Sequence, residues 1–190
     1  MWNLTRLAEC LLPLFSDDEA RAKDAAMAAL NAFSPRFNAS FVDGLRRKLG
    51  LLTTQEDDAV LIQDLLDLMA EHKADFTNTF RKLYTIADGA PESALPFASA
   101  WLPRWRQRLA EEPTTSAERQ AAMRAANPAY IPRNHQVEAA LAAAVERQDF
   151  APFDALLDVI THPYDERPGW DHFATPPRDE ERVLQTFCGT

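Results

Sequence analysis

Helix-start signals recur along almost the whole chain, and no segment shows the alternation of apolar and polar residues that a half-buried β-strand requires. Ser16-Asp17-Asp18-Glu19 has the form of a capping box, and Thr54-Gln55-Glu56-Asp57, Asp75-Phe76-Thr77 and Thr115-Ser116 open further helices. Behind these starts, apolar residues recur every three or four positions. The pattern predicts an all-α fold, an irregular multi-helix bundle.

The first 50 residues are predicted to form three helices. Leucines on the first helix make an apolar stripe interrupted near Pro13, and Cys10 is expected to be a small buried residue beside it. An Ala-rich helix then runs to about Phe33. Ser34-Pro35 is a second start signal, with serine as the cap and proline at the first helical position. The helix that follows carries Phe37, Phe41, Leu45 and Leu49 at a spacing of four and stops at Gly50.

Later segments continue the helical pattern. Trp101, Trp105 and Leu109 form a core stripe, and the arginines among them are interpreted as its solvated flank. Residues 134–147 and 151–161 read as a helical pair. Prolines then become frequent, so we expect a helical domain over residues 1–161 and a Pro-rich C-terminal tail over residues 162–190, with Tyr164, Trp170 and Phe173 packing on the body.

Charge and composition exclude several classes of protein. The net charge is −9, from 29 acidic and 20 basic residues, so the electrostatic field opposes binding to nucleic acid or to anionic lipid. No apolar run approaches the roughly 18–20 residues that span a bilayer, and no signal peptide is evident. With only two cysteines there is no disulfide framework, which favours a reducing, cytoplasmic setting.

The sequence offers no recognisable catalytic, cofactor-binding or metal-binding motif. None of the five glycines lies in a GxG or phosphate-loop pattern, and the four histidines lack metal-ligand spacing. Asp57-Asp58 is interpreted as stabilising a helix N-terminus rather than as binding magnesium. Two prolines four residues apart impose an extended link at Asn127–Asn134, for which a structural clamp is favoured over a ligand contact.

Cys188 is the single candidate for a functional side chain. It stands third from the end of the Pro-bounded tail, where a thiol is expected to be accessible and to react before Cys10 does. The alternative is an inert cysteine.

Several motifs resemble the selenoprotein O family. They are Met123-Arg124-x-x-Asn127-Pro128-x-Tyr130-x-x-Arg133-Asn134, His162-Pro163-Tyr164-Asp165 and the terminal Thr186-Phe187-Cys188-Gly189-Thr190. Supporting matches include Trp2-Asn3-Leu4-x-Arg6-Leu7-Ala8 and Lys48-Leu49-Gly50-Leu51, so the likeness extends over essentially the whole chain. The ending is similar to that of bacterial members, which carry cysteine where some eukaryotic members carry selenocysteine.

The resemblance implies a kinase-like protein adenylyltransferase that uses ATP and magnesium to transfer AMP to protein hydroxyls. The catalytic, ATP-binding and metal-binding residues of that family lie N-terminal to the region matched here, so no catalytic residue is carried over and only Cys188 transfers, as a redox-active position. The chain would then resemble the C-terminal part of a kinase-like C-lobe, inactive by itself, with the missing N-terminal region as its partner.

A second hypothesis is a free-standing helical module that binds a protein partner through an exposed apolar face. Both hypotheses predict bare apolar surface. Because contiguous apolar patches favour association, we expect the isolated chain to form dimers or larger oligomers at high concentration.

Overall fold

The fold is all-helical, as predicted. A computed structural model describes residues 1–185, which contain no strand. No helix in that range is both long enough and apolar enough to cross a bilayer. The α-helices are α1 Trp2–Phe15, α2 Glu19–Lys48, α3 Asp58–Glu71, α4 Phe76–Ala87, α5 Leu102–Ala110, α6 Ser116–Ala126, α7 Asn134–Arg147, α8 Ala151–Thr161 and α9 Asp171–Ala174. Short 3-10 turns occupy Glu92–Ala94, Pro96–Ala98 and Asp179–Glu181.

The chain divides into two compact units, Met1–Leu45 and Arg46–Thr190. The first unit consists of α1 and most of α2. The two helices line a shared apolar groove of about 200 Å³. Its walls are Leu4, Leu7, Ala8, Leu11, Phe15, Ala26, Ala29, Leu30 and Phe33. The predicted stripe is confirmed for Leu4, Leu7 and Leu11, which line the groove, but Leu14 is 81% exposed and α1 has no buried residue. The predicted interruption near Pro13 was wrong, because α1 continues through Pro13 to Phe15.

The expectation that Cys10 is buried was wrong, because its side chain is exposed. The reason lies in helical geometry. Successive residues of an α-helix turn by about 100°. Leu4, Leu7 and Leu11 fall on the face that lines the groove, whereas Cys10 lies about 100° away from the centre of that face. Its thiol therefore points to solvent.

The predicted helix start at Ser34-Pro35 was also wrong, because α2 continues without a break through Pro35 to Lys48. Proline removes one backbone donor, which costs about 3 kcal/mol inside a helix. Its fixed φ is nevertheless helical, so a Ser-Pro pair is compatible both with a start and with a continuing helix. Aromatic stacking crosses the proline, with Phe33 and Phe37 at 5.8 Å between ring centroids.

The core of the second unit contains the predicted tryptophan stripe. Trp101 and Trp105 are buried and stack with 5.7 Å between ring centroids. Each indole N–H has a partner: Trp101 Nε1 donates to the Leu61 carbonyl at 2.8 Å, and Trp105 Nε1 donates to the Leu49 carbonyl at 3.0 Å. The two rings thus connect the start of α5 to α3 and to the turn after α2 by hydrogen bonds as well as by burial.

Gly50 ends α2 in a conformation that favours glycine, with φ of +76°. A Cβ added there would lie 2.8 Å from Met123 Sδ.

We expect Gly50→Ala to lower the free energy of unfolding by about 1–3 kcal/mol, from backbone strain and the close contact. Gly44 is the matched control, since it lies inside α2 and a Cβ added to it would meet no atom within 4 Å. Gly44→Ala should be neutral or stabilising by up to about 1 kcal/mol. Urea denaturation of both variants checks this, and equal effects would contradict it.

The helical pair α7 and α8 has the predicted bounds. Gln148 closes α7 in the left-handed conformation at φ 55°. The segment after α8 returns to the link between α6 and α7. The Pro163 carbonyl accepts from the Ala129 amide at 2.7 Å and from the Tyr130 amide at 3.2 Å. Trp170 and Phe173 pack on the cluster of Ala129, Tyr130 and Val159, as the sequence predicted for these two aromatic residues.

Candidate functional site

The link between α6 and α7 is held by a buried asparagine. Asn127 is 1% exposed. Its side-chain amide donates to the Lys48 carbonyl at 2.8 Å and to the Met123 carbonyl at 2.9 Å. These carbonyls lie at the ends of α2 and α6, where the backbone acceptors lack partners within the helix. Asn127 therefore joins two helix C-termini through one side chain.

Two cations complete this arrangement. Lys48 Nζ donates to the Ala126 carbonyl at 2.8 Å and lies 5.8 Å from the centre of the Phe80 ring. Burial lowers the pKa of Lys48. Arg81 Nη1 donates to the Asn127 carbonyl at 3.0 Å. We call Lys48, Arg81 and Asn127 the connector clamp, because all three bond to the main chain of the link or of its adjoining helices.

The far end of the link is fixed by an ion pair. Arg133 donates to both carboxylate oxygens of Asp75, at 2.8 and 3.1 Å. Asp75 also caps α4 by accepting from the Asn78 amide at 2.8 Å. Burial by itself would raise the pKa of Asp75. The hydrogen bonds from Arg133 and from the Asn78 backbone outweigh it and hold that pKa below its usual value.

Stability should therefore depend on the charge of Asp75. A carboxyl whose pKa is lowered by folding contributes stability above its unfolded pKa of about 4, and this contribution is lost as the pH falls through the folded value. We expect Asp75→Asn to cost about 1–2 kcal/mol at pH 7, and the difference from wild type to shrink below about pH 4. The check is urea denaturation from pH 7 to pH 3. Asp67→Asn is the control, since Asp67 is exposed and its carboxylate accepts a hydrogen bond from the exposed Gln63 side chain. A gap that stays constant with pH would contradict the assignment.

A second buried polar cluster centres on Arg108. The guanidinium donates from Nε to Asp58 at 2.7 Å, from Nη1 to Glu112 at 2.7 Å and from Nη2 to the Thr53 carbonyl at 2.9 Å. Arg108 is 7% exposed and Asp58 only 2%. Glu112 in turn accepts from the Thr53 amide and hydroxyl. The cluster fastens the loop before α3 to α5.

The hydrogen bonds of this cluster favour the charged forms of Arg108 and Glu112. Burial would lower the pKa of Arg108, but the hydrogen bonds from it to Asp58 and Glu112 raise the pKa above its usual value. Burial would likewise raise the pKa of Glu112, and the hydrogen bonds from Thr53 and Arg108 lower it instead. The two carboxylates share the Arg108 guanidinium, and Arg46 Nε lies 3.7 Å from Asp58 as a second cation. Groups held in such mutual ion pairs suit a structural bridge and not a proton donor near neutral pH.

A third cluster joins α4, α6 and the segment after α8. Glu166 forms ion pairs with Arg81 and, at 3.3 Å, with Arg124. The centroid of the Tyr84 ring lies 5.3 Å from the guanidinium carbon of Arg81 and 5.9 Å from the guanidinium carbon of Arg124. Burial and the neighbouring Arg124 lower the pKa of Arg81. An open pocket of about 540 Å³ adjoins this cluster, with both acidic and basic side chains in its wall.

The structure answers some of the sequence predictions about the site. The favoured structural clamp at Asn127–Asn134 is consistent with the contacts of Asn127 and Arg133, whereas Asn134 is exposed. The interpretation of all the arginines beside Trp101 and Trp105 as a solvated flank was wrong for Arg108, which is buried. Cys188 lies outside the described residues, so its redox role stays a prediction.

The described residues do not fit a magnesium–ATP site. Within residues 1–185, no three His, Cys, Asp or Glu side chains are grouped so that they could hold a metal ion. The buried carboxylates Asp58 and Glu112 are already bonded to Arg108. The connector clamp donates its hydrogen bonds to the chain itself.

Comparison with known proteins gives consistent matches. The family model described as "Protein adenylyltransferase SelO" matches residues 1–161. The protein nucleotidyltransferase YdiU of Bradyrhizobium sp. (strain BTAi1 / ATCC BAA-1182) is 57% identical over 197 residues, which cover 100% of this chain and 40% of the relative. The protein of the same name from Rhodopseudomonas palustris (strain BisB5) is 54% identical over 198 residues, with the same shares. The chain thus spans about 40% of the length of these relatives.

Proposed function

Since the chain belongs to the SelO family of protein adenylyltransferases, we propose that it is the helical C-terminal segment of a protein nucleotidyltransferase and is inactive alone. In the complete enzyme the reaction would be the transfer of AMP from ATP to Ser, Thr or Tyr hydroxyls of proteins. Residues outside this chain would bind ATP and magnesium in a kinase-like catalytic region. The small number of cysteines supports a cytoplasmic setting.

The connector clamp is the observation that carries this proposal. Its buried or half-buried polar groups, Lys48, Arg81 and Asn127, donate to main-chain carbonyls at helix ends and in the link. A catalytic or substrate-binding group must present a donor or acceptor to the substrate. Groups that are bonded to the chain instead position its elements. In the complete enzyme these contacts would hold the helices of this segment in a fixed arrangement.

The test uses two proteins. The first is the 190-residue chain alone, and the second is a chimera in which this chain replaces the matching 40% of the Bradyrhizobium relative. Each is incubated with ATP labelled at the α-phosphate, magnesium and an acceptor protein. We expect no label to be transferred by the chain alone and clear transfer by the chimera, because the catalytic groups come from the relative.

Two outcomes would contradict the proposal. Labelling by the isolated chain that persists through further purification would mean that the chain carries catalytic groups of its own. A folded chimera without activity, beside an active unmodified relative, would mean that this chain does not serve as the C-terminal segment.

A second candidate function is a free-standing helical interaction module. The exposure of large apolar side chains on the first unit favours it. These include Trp2, Leu7, Leu14, Met27, Phe37 and Phe41. An inactive chimera together with tight binding of the isolated chain to an unrelated protein would favour this alternative.

A further inference from the structure

One face of α2 carries a row of three phenylalanines, Phe33, Phe37 and Phe41, which we call the phenylalanine ladder. Neighbouring rings stack, with centroids 5.8 and 6.0 Å apart. The rings are 39%, 53% and 48% exposed. The spacing of four residues turns each ring only about 40° from the last, so all three share one side of the helix.

The ladder is the uncovered middle of a longer apolar stripe. Before it, Ala22 and Ala26 on the same face are buried, and Leu45, four residues after Phe41, is buried as well. Helix α1 has 14 residues against 30 in α2, which corresponds to about 21 Å against about 45 Å. The groove that α1 lines reaches Phe33 and does not include Phe37 or Phe41. Helix α1 is therefore too short to cover the ladder.

The part of α2 around the ladder carries fewer charged residues than a helix that faces water on that side. Between Ala25 and Gly44 the only charged residues are Arg36 and Asp43. A helix that faces water normally carries charged residues on its exposed side. Low charge around an apolar stripe with buried ends indicates that another apolar element covers this stretch.

A second copy of the chain is a poor fit to the ladder. Three half-exposed phenylalanine rings offer on the order of 300 Å², whereas a stable interface buries roughly 800 Å² on each partner. A segment of the same polypeptide can dock with a smaller buried area, because it does not lose the translational and rotational freedom of a separate molecule. The relatives contain about 60% of their length beyond the 40% that this chain covers, which is enough to supply such a segment.

We propose that the phenylalanine ladder is the docking surface for an apolar helix of the enzyme's remaining portion, outside this chain. This inference rests on the proposed function, and it adds which surface carries the contact and what chemistry covers it. A helix with large apolar side chains at a spacing of three or four would lie along the ladder and interdigitate with its rings.

The experiment compares solvent accessibility of the ladder in two states. The isolated chain and the chimera with the Bradyrhizobium relative are labelled by carbene footprinting, and label is read by mass spectrometry at residues 33–41. We expect at least five-fold less labelling in the chimera. Equal labelling in both proteins would overturn the proposal even if the chimera transfers AMP. Protection in the isolated chain that rises with its concentration, together with a dimer mass, would identify a second copy as the occupant and also overturn it.

Matched variants separate docking from folding. Phe37→Asp/Phe41→Asp in the chimera should restore labelling at Phe33 to the level of the isolated chain and lower the melting temperature. Val145→Asp, at a site that is 81% exposed on α7, should change neither. Circular dichroism of the isolated chain should be the same with and without the double substitution, because the ladder is uncovered there. A chimera with the double substitution that keeps Phe33 protected would refute the assignment of the ladder as the contact.

Discussion

Replacing Arg108 with alanine should lower the free energy of unfolding by about 3–5 kcal/mol, the largest effect we expect from a single polar substitution in this chain. The reason is the state of the partners that remain. Asp58 would lose its close ion pair and keep the more distant Arg46 at 3.7 Å. Glu112 would lose its ion pair and keep the hydrogen bonds from Thr53, whose carbonyl would lose its donor. Removing one partner of a buried ion pair leaves uncompensated charge in a low-dielectric setting. Urea denaturation measures the change.

Arg104 on the same helix is the matched control. It pairs with Asp64 at 2.6 Å, but both side chains are substantially exposed. An exposed ion pair contributes about 0–1 kcal/mol, so Arg104→Ala should change stability little. A loss below about 1 kcal/mol for Arg108→Ala would show that Asp58 and Glu112 find water or other partners, and that the buried bridge is not what holds the loop before α3.

Replacing Asn127 with alanine should cost about 2–4 kcal/mol, because several groups lose their partners together. The Lys48 and Met123 carbonyls lose the donor that satisfies them at two helix ends. The small cavity left at this buried position adds to the loss. We also expect faster hydrogen exchange at the end of α6, since the link would no longer be tied to it.

Asn134 provides the control for this substitution. It belongs to the same link motif but is exposed and begins α7. Asn134→Ala should stay within about 0.5 kcal/mol of wild type, as most surface substitutions do. Equal losses of unfolding free energy for Asn127→Ala and Asn134→Ala would mean that the link does not depend on the connector clamp. The structural role proposed for the clamp would then lose its main support.

Signals that act over a few residues predicted the helices well. The predicted start at Thr115-Ser116 is confirmed, with Thr115 as the cap of α6, and Asp75 caps α4 through the Asn78 amide as predicted. The pair α7 and α8 has the bounds predicted from its Ala-rich sequence and the turn at Gln148-Asp149. These features could be predicted from the sequence because the residues that form a cap or an apolar stripe lie within one or two helical turns of one another. The prediction of a helix start at Ser34-Pro35 failed for the same reason. A signal of two residues does not show whether the preceding helix has ended.

Contacts between distant parts of the chain were not predicted. Arg108 meets Asp58, which lies 50 positions earlier, and Arg133 meets Asp75, which lies 58 positions earlier. Nothing in a single sequence pairs such residues. One signal for Arg108 was present nevertheless: positions 101, 105, 108 and 112 continue one helical stripe, so an arginine and a glutamate at its end were on the buried side.

The return of the segment after α8 to the link has a consequence for how the protein is made. The Asn78 side chain donates to the Ala174 carbonyl across 96 positions, and Tyr130 meets Trp170 edge-on at 5.6 Å. A ribosome adds about 5–20 residues per second, and domains fold as they emerge. At that rate α4 waits about 5–20 seconds for Ala174 to be synthesised. Tyr130 is made about 2–8 seconds before Trp170, so its surface lacks the cover of Trp170 and Phe173 during the last part of that interval. A nascent chain paused at this stage exposes apolar surface to which a chaperone can bind.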